Sequence, residues 1–151
     1  MSILSLVGND SVVINDRILS DFNAGEIAKL TFEGPIVTVK TGKNSNTIFA
    51  ANVSGNRASL EIHLMRGSAD DKYLNKLLTA QKSDLTTFVA MNGSLSKAFG
   101  DGKGNISLDV YTLTGGVFSD NLETSSNVEG DVEQAKVTYK LQFSIAPRTL
   151  V

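Results

Sequence analysis

The chain contains no cysteine and no tryptophan, and only one histidine, His63. Without thiols, disulfides and thiolate metal sites are excluded, and one imidazole cannot build a multi-histidine centre. The nucleophile–base pairs of hydrolases reduce to a serine or threonine with that single residue. A basic surplus is missing too. Lys and Arg number 14 against 16 Asp and Glu, a formal net charge of −2, so no positive field exists to bind nucleic acid as a ligand. Nor is there a long hydrophobic run: Met1–Val7 is apolar, but it lacks a positively charged leading segment and is too short to span a bilayer. The expectation is a chain that folds and works without export as a monomer. No low-complexity tract, internal repeat or linker interrupts it, so residues 1-151 are read as one domain.

What is present is alternation. Ala58, Leu60, Ile62 and Leu64 alternate with Arg57, Ser59, Glu61 and His63, the pattern of a half-buried strand. Ile106, Leu108 and Val110 repeat it, and Val137, Tyr139, Leu141, Phe143 and Ile145 extend it over the longest run. Shorter β-type runs fall at Val12–Ile14, Ile27–Phe32, Ile36–Lys40, Thr47–Ala51 and Leu85–Ala90, punctuated by turn signals at Asn15-Asp16, Gly34-Pro35, Asn92-Gly93 and Gly115-Gly116. One segment has a helical period. Ser68 can cap it, Tyr73, Leu74, Leu77, Leu78 and Gln81 form its stripe, and acids at its start with lysines towards its end suit the dipole. The spacing predicts a helix near 69–82 that anchors the fold through Leu74, Leu77 and Leu78. The fold class is mainly β, a β-sandwich or open barrel with one packed α-helix.

Candidate chemistry is sparse. Gly100-Asp-Gly-Lys-Gly104 runs into a strand and no Ser or Thr follows Lys103, so it reads as a glycine-rich turn between strands and not a phosphate loop. As a calcium loop it puts Lys103 at a ligand position and lacks the bidentate Glu. His63 sits on the polar face of its strand and reads as a surface or interface residue. Asp70 and Asp71 lie in a helix's first turn, where acids are stabilised anyway. Glu129 and Asp131 lie in a polar loop, without a Trp for a sugar cleft. The inventory implies no enzyme and no cofactor. Two polar stretches, Thr41–Asn56 and Asp120–Asp131, are long for a small domain; the first is expected to be an extended hairpin or arm.

Three blocks taken together carry a resemblance. The passage Ser54–Leu74 with its Met65-Arg-Gly-Ser-Ala-Asp-Asp-Lys-Tyr-Leu-Asn75 junction, the block Tyr111–Phe118, and the stretch Asn127–Gln134 ahead of the last strand resemble the tail tube proteins of contractile-tailed bacteriophages, as does Phe143-Ser-Ile-Ala-Pro147. The likeness covers most of the chain. It implies a tail-tube-like fold and a structural subunit that forms homohexameric rings, stacked into a tube inside a sheath. Tail sheath, baseplate and tail terminator proteins would be partners, and DNA would pass through the lumen without sequence-specific binding. The implied location is the virion tail, reached from the host bacterial cytoplasm. About four strands per subunit would give a barrel of about 48 Å and a bore of about 38 Å, enough for a DNA duplex. Such a bore needs small polar or acidic linings; Lys136 and Lys140, on the polar face of the last strand, would make a bore lined by that face less acidic. A tube subunit of a DNA-free machine, such as a type VI secretion tube or an R-type pyocin, would share the fold. A monomeric β-sandwich binding module is the farther alternative. On the tube reading, Lys43, Asn44, Ser45, Asn46 and Asn52 of the polar arm are the candidate inter-ring contacts.

Overall fold

The computed structural model describes residues 4–6, 10–23, 25–126, 128 and 132–151. Asn127, Glu129 and Asp131 of the third resemblance block lie outside them, as does part of Met1–Val7. Twelve strands and one helix follow in the order β1 (Ser5–Leu6), β2 (Ser11–Ile14), β3 (Arg17–Leu19), β4 (Ala28–Phe32), β5 (Val37–Thr41), β6 (Thr47–Ala51), β7 (Ala58–Met65), α1 (Ala69–Ser83), β8 (Met91–Gly100), β9 (Ile106–Phe118), β10 (Glu123–Thr124), β11 (Lys136–Ile145) and β12 (Arg148–Leu150). Short 3-10 turns occupy Val53–Asn56 and Val132–Ala135. The fold is mainly β with a single helix, as expected from the period-two patterning.

Ten strands form one antiparallel sheet in the order β3-β2-β8-β9-β11-β7-β4, with β1 added to β8, β12 to β9 and β10 to β11. The alternation fixes the register: Val137, Tyr139, Leu141 and Phe143 stand opposite Leu64, Ile62, Leu60 and Ala58, all buried. The sheet curls on itself, so that Phe32 of β4 meets Tyr111 of β9 with ring centroids 6.1 Å apart. An open barrel results, with β4 and the β8–β9 pair on opposite flanks. Helix α1 packs against β7 and β9, and Leu74 and Leu78 complete the core. Leu77, predicted as an equal anchor, is only partly buried at the margin of that core. Ser68 accepts from the Asp71 N–H as the cap.

Three turn and strand readings need correction. Leu85–Ala90 is not a strand: it follows the end of α1 as a turn, where Asp84 accepts from the N–H and hydroxyl of Thr86. Those local bonds compete with any ladder. Asn92-Gly93 is no turn either but part of β8, where a side chain at Gly93 would strike the Val13 carbonyl of the neighbouring strand. Gly115-Gly116 lies inside β9 at a register irregularity opposite Met91 and Gly93. Gly115 has φ +70, the left-handed conformation of a β-bulge. The glycines of Asn92-Gly93 and Gly115-Gly116 mark close approach or a bulge within strands, which composition alone cannot separate from a turn.

Candidate functional site

The polar arm is a hairpin that leaves the main sheet. Among the described residues, strands β5 and β6 pair only with each other, Val37 opposite Ala51 through Thr41 opposite Thr47. The tip closes through Gly42 N–H to Asn46 O at 2.7 Å and Ser45 N–H to Gly42 O at 3.2 Å, with Ser45 at φ 65. Lys43, Asn44, Ser45 and Asn46 are therefore brought together at one exposed tip. Asn52 lies at the other end of the hairpin, its N–H donating to Ile36 O at 2.8 Å, so it does not join that cluster. The body is less polar than its sequence neighbourhood implies. Val37, Val39 and Phe49 share one face, and Ile48 is on the other; Ile48 is 67% exposed and Phe49 72%. At its base an apolar groove of about 550 Å³ opens between Phe32, Ile36, Ile145 and Pro147. Two-stranded hairpins are marginal alone in water, and this one exposes the side chains that would stabilise it.

The outward surface of the curled sheet divides into two flanks. On β8 and β9 the register sets Ser94, Ser96 and Ala98 beside Thr112, Val110 and Leu108. Ser5 of β1, Ser11 and Val13 of β2 and Thr149 of β12 extend the same face. No ionisable side chain falls on it among the described residues of these strands. Their charged residues point the other way: Lys97 reaches Asp10 at 2.9 Å, and Arg148 grips Asp109 through two bonds of 2.7 and 2.8 Å. Those bonds hold the Asp109 carboxyl below the usual range.

On β4, β7 and β11 the opposite holds. Lys29, Glu61 and Lys140 stand in one row, and Lys140 pairs with Glu123 at 3.4 Å. Glu33 accepts from Ser59 at 3.0 Å and Gln142 at 3.0 Å. The acidic stretch beginning at Asp120 thus supplies a strand and an ion pair, not simply a loop. His63 corrects the expectation of a surface histidine. It is 6% exposed, and its backbone is bonded at the edge of β7, where its C=O accepts from Asn23 N–H and its N–H donates to Ile27 O. Its Nδ1 lies 3.1 Å from Thr138 Oγ1, and Nε2 is 3.4 Å from Glu61 and 3.7 Å from Glu26.

Sequence reasoning missed Asp70. Its carboxylate is buried beneath the β2–β3 hairpin, accepting from Ser20 N–H at 2.7 Å, Asp21 N–H at 2.9 Å and Arg17 Nε at 2.9 Å. Burial pulls its pKa up, but the Asp21, Ser20 and Arg17 donors outweigh that and hold it below the ordinary value. The role of Asp70 depends on a strand some fifty residues away, which no local pattern announces. The Gly100–Gly104 segment is the predicted strand-to-strand turn, tied by Asp101 to Lys103 N–H at 2.7 Å and to the Asn105 side chain at 2.8 Å. Among the described residues no group of three or more His, Asp or Glu could hold a metal, and no helix is long and apolar enough to cross a membrane.

No protein-family model and no curated protein matches the sequence. A solved structure does match in shape. The fold superposes on a chain from the cryo-EM structure of the anti-feeding prophage (AFP) baseplate, 6-fold symmetrised, with a TM-score of 0.58 over 99% of this chain and 97% of that one. Identity is 13%. The likeness is one of fold.

Proposed function

We propose that the protein is a non-catalytic structural subunit of a bacteriophage tail tube, forming stacked hexameric rings around a channel for DNA. The observation that carries this reading is the β5–β6 hairpin, an element that pairs with no other strand among the described residues yet carries Val37, Val39, Ile48 and Phe49 in the open. Such an element becomes stable on another subunit, and stacked rings supply one at every repeat. The tip residues Lys43, Asn44, Ser45 and Asn46 then add hydrogen bonds across the ring boundary, and Asn52 lies where the arm leaves the body. Sheath, baseplate and terminator proteins are the partners of this reading, the virion tail its location, and the host bacterial cytoplasm its place of synthesis.

The full-length fold likeness to a chain of a 6-fold symmetrised assembly supports it. That assembly is the anti-feeding prophage baseplate, and one second reading keeps the same fold: a tube subunit of a contractile injection system that carries no DNA. Negative-stain microscopy of the purified protein at rising concentration tests the class. Rings or tubes are expected. A monomer at every concentration would return the chain to the class of binding modules, and capsid and portal genes beside its own would separate phage from DNA-free machine.

A further inference from the structure

We infer that the uncharged flank of the curled sheet lines the channel of the assembled tube, and that the charged flank on β4, β7 and β11 faces away from it. This rests on the tube reading and adds the surface that a polyanion in transit, duplex DNA, would meet.

The first support is the placement of charge. Strands β8, β9 and β12 carry Lys97, Asp109 and Arg148, yet each of the three lies on the side opposite Ser96 and Thr112 and is ion-paired there. A one-residue slip of register would expose all of them on the hydroxyl face, so the strand period keeps that face neutral. Cations on a channel wall would hold a polyanion and make its passage salt-dependent, whereas uncharged side chains, here hydroxyls together with Val110, Leu108 and Ile106, do neither.

The second support is the edges. Beyond Ser96 and Val110 the sheet narrows to β1-β8-β9-β12, four strands whose outer edges, on β1 and β12, pair with nothing among the described residues. Four strands open on both sides are what a barrel shared among copies requires, since closure removes the edges. The third is the opposite flank. The row of Lys29, Glu61 and Lys140 is suited to selecting a protein partner by complementary charge. Lys136 and Lys140, the two residues that would spoil a neutral bore, are both on β11 in this flank, and Lys140 is paired with Glu123.

The lack of any native cysteine makes the test direct. Ser96→Cys and Lys29→Cys each create one thiol, to be reacted before and after assembly with a small maleimide dye and with a maleimide carried on a globular protein. In tubes, reaction of Ser96→Cys with the bulky reagent should be lost while the dye still enters; Lys29→Cys should be shielded only when sheath is added. Thr112→Cys, on the same face, replaces Ser96→Cys if that variant does not assemble. A second arm introduces Ser96→Lys, whose tubes should retain duplex DNA at low salt and release it at high salt, unlike wild-type tubes. Bulky labelling of Ser96→Cys tubes at the unassembled rate, or unchanged DNA behaviour of Ser96→Lys tubes, overturns the assignment while leaving the tube intact. Failure of the wild-type protein to form rings or tubes overturns the tube reading itself.

Discussion

Protonating Asp70 removes the negative charge that two backbone N–H groups and Arg17 are turned towards and weakens all three bonds. Because its folded pKa is depressed, the stabilisation is present above the ordinary carboxylate value of about 3.9 and fades as pH falls from there through the lower folded value. Asp70→Asn should therefore melt below wild type at pH 7, with a loss of about 2–3 kcal/mol, and the two melting temperatures should converge in strong acid. Arg17→Ala should cost less, about 1 kcal/mol or under, since that side chain is 39% exposed. Tyr139 is a second residue held from outside its own strand: its hydroxyl donates to Asp71 Oδ1 at 2.6 Å. Burial first, then the Asp71 carboxylate, pushes the phenol far above its ordinary value. In an alkaline absorbance titration one of the three tyrosines should ionise only as the fold is lost. In the core the order of cost is set by burial. Leu74→Ala should lose about 2–5 kcal/mol, and Leu77→Ala clearly less, as read by denaturant melts.

Elements differ in what holds them. Helix α1 is locked at both ends, by Ser68 and Asp70 at the start and by Gln81 at the last turn, whose amide trades two 2.8 Å bonds with the Phe118 backbone. Among the described residues the β5–β6 hairpin has only its own ladder. On the proposed tube reading, replacing Lys43–Asn46 with a short Gly-containing turn should leave the melting temperature and the ring unchanged while abolishing tubes in electron micrographs; tubes of normal length would return the tip to an ordinary loop. Replacing Phe49 and Ile48 with Thr should act the same way and raise the solubility of the free subunit. The helix and the long strands were legible from periodicity, because their burial follows a fixed repeat. The hairpin was legible as an arm through its polar tip, but its exposed apolar body was not, since Ile48 and Phe49 look like core residues until the partner strand is known to be β5 alone. His63 was misplaced for the same kind of reason: the period puts it outward, and its cover comes from Glu26, Glu61 and Thr138, brought together only by the fold. Asn92-Gly93 and Gly115-Gly116 read as turns because a bulge and a close approach leave the same residue type behind.

At the scale of the whole molecule, the curled sheet separates a neutral flank from a charged one while its hairpin projects from the base. The sheet also joins distant parts of the chain. Strand β2 rests on β8, and β11, which follows both of its partners in the sequence, lies in the middle of the sheet between β9 and β7. Sheets built from such long-range pairings fold slowly, in roughly milliseconds to seconds, because loop closure precedes the contacts that reward it. A nascent chain on the ribosome therefore has α1 and the β8–β9 hairpin available but no place to close the core until Lys136–Ile145 has emerged. Emergence of Lys136–Ile145 then sets the moment at which the core can close, however early the other strands are made. A chain ending before Lys136 should accumulate as insoluble material, and in ribosome-bound chains of increasing length protease resistance should arise only once Ile145 has cleared the exit tunnel.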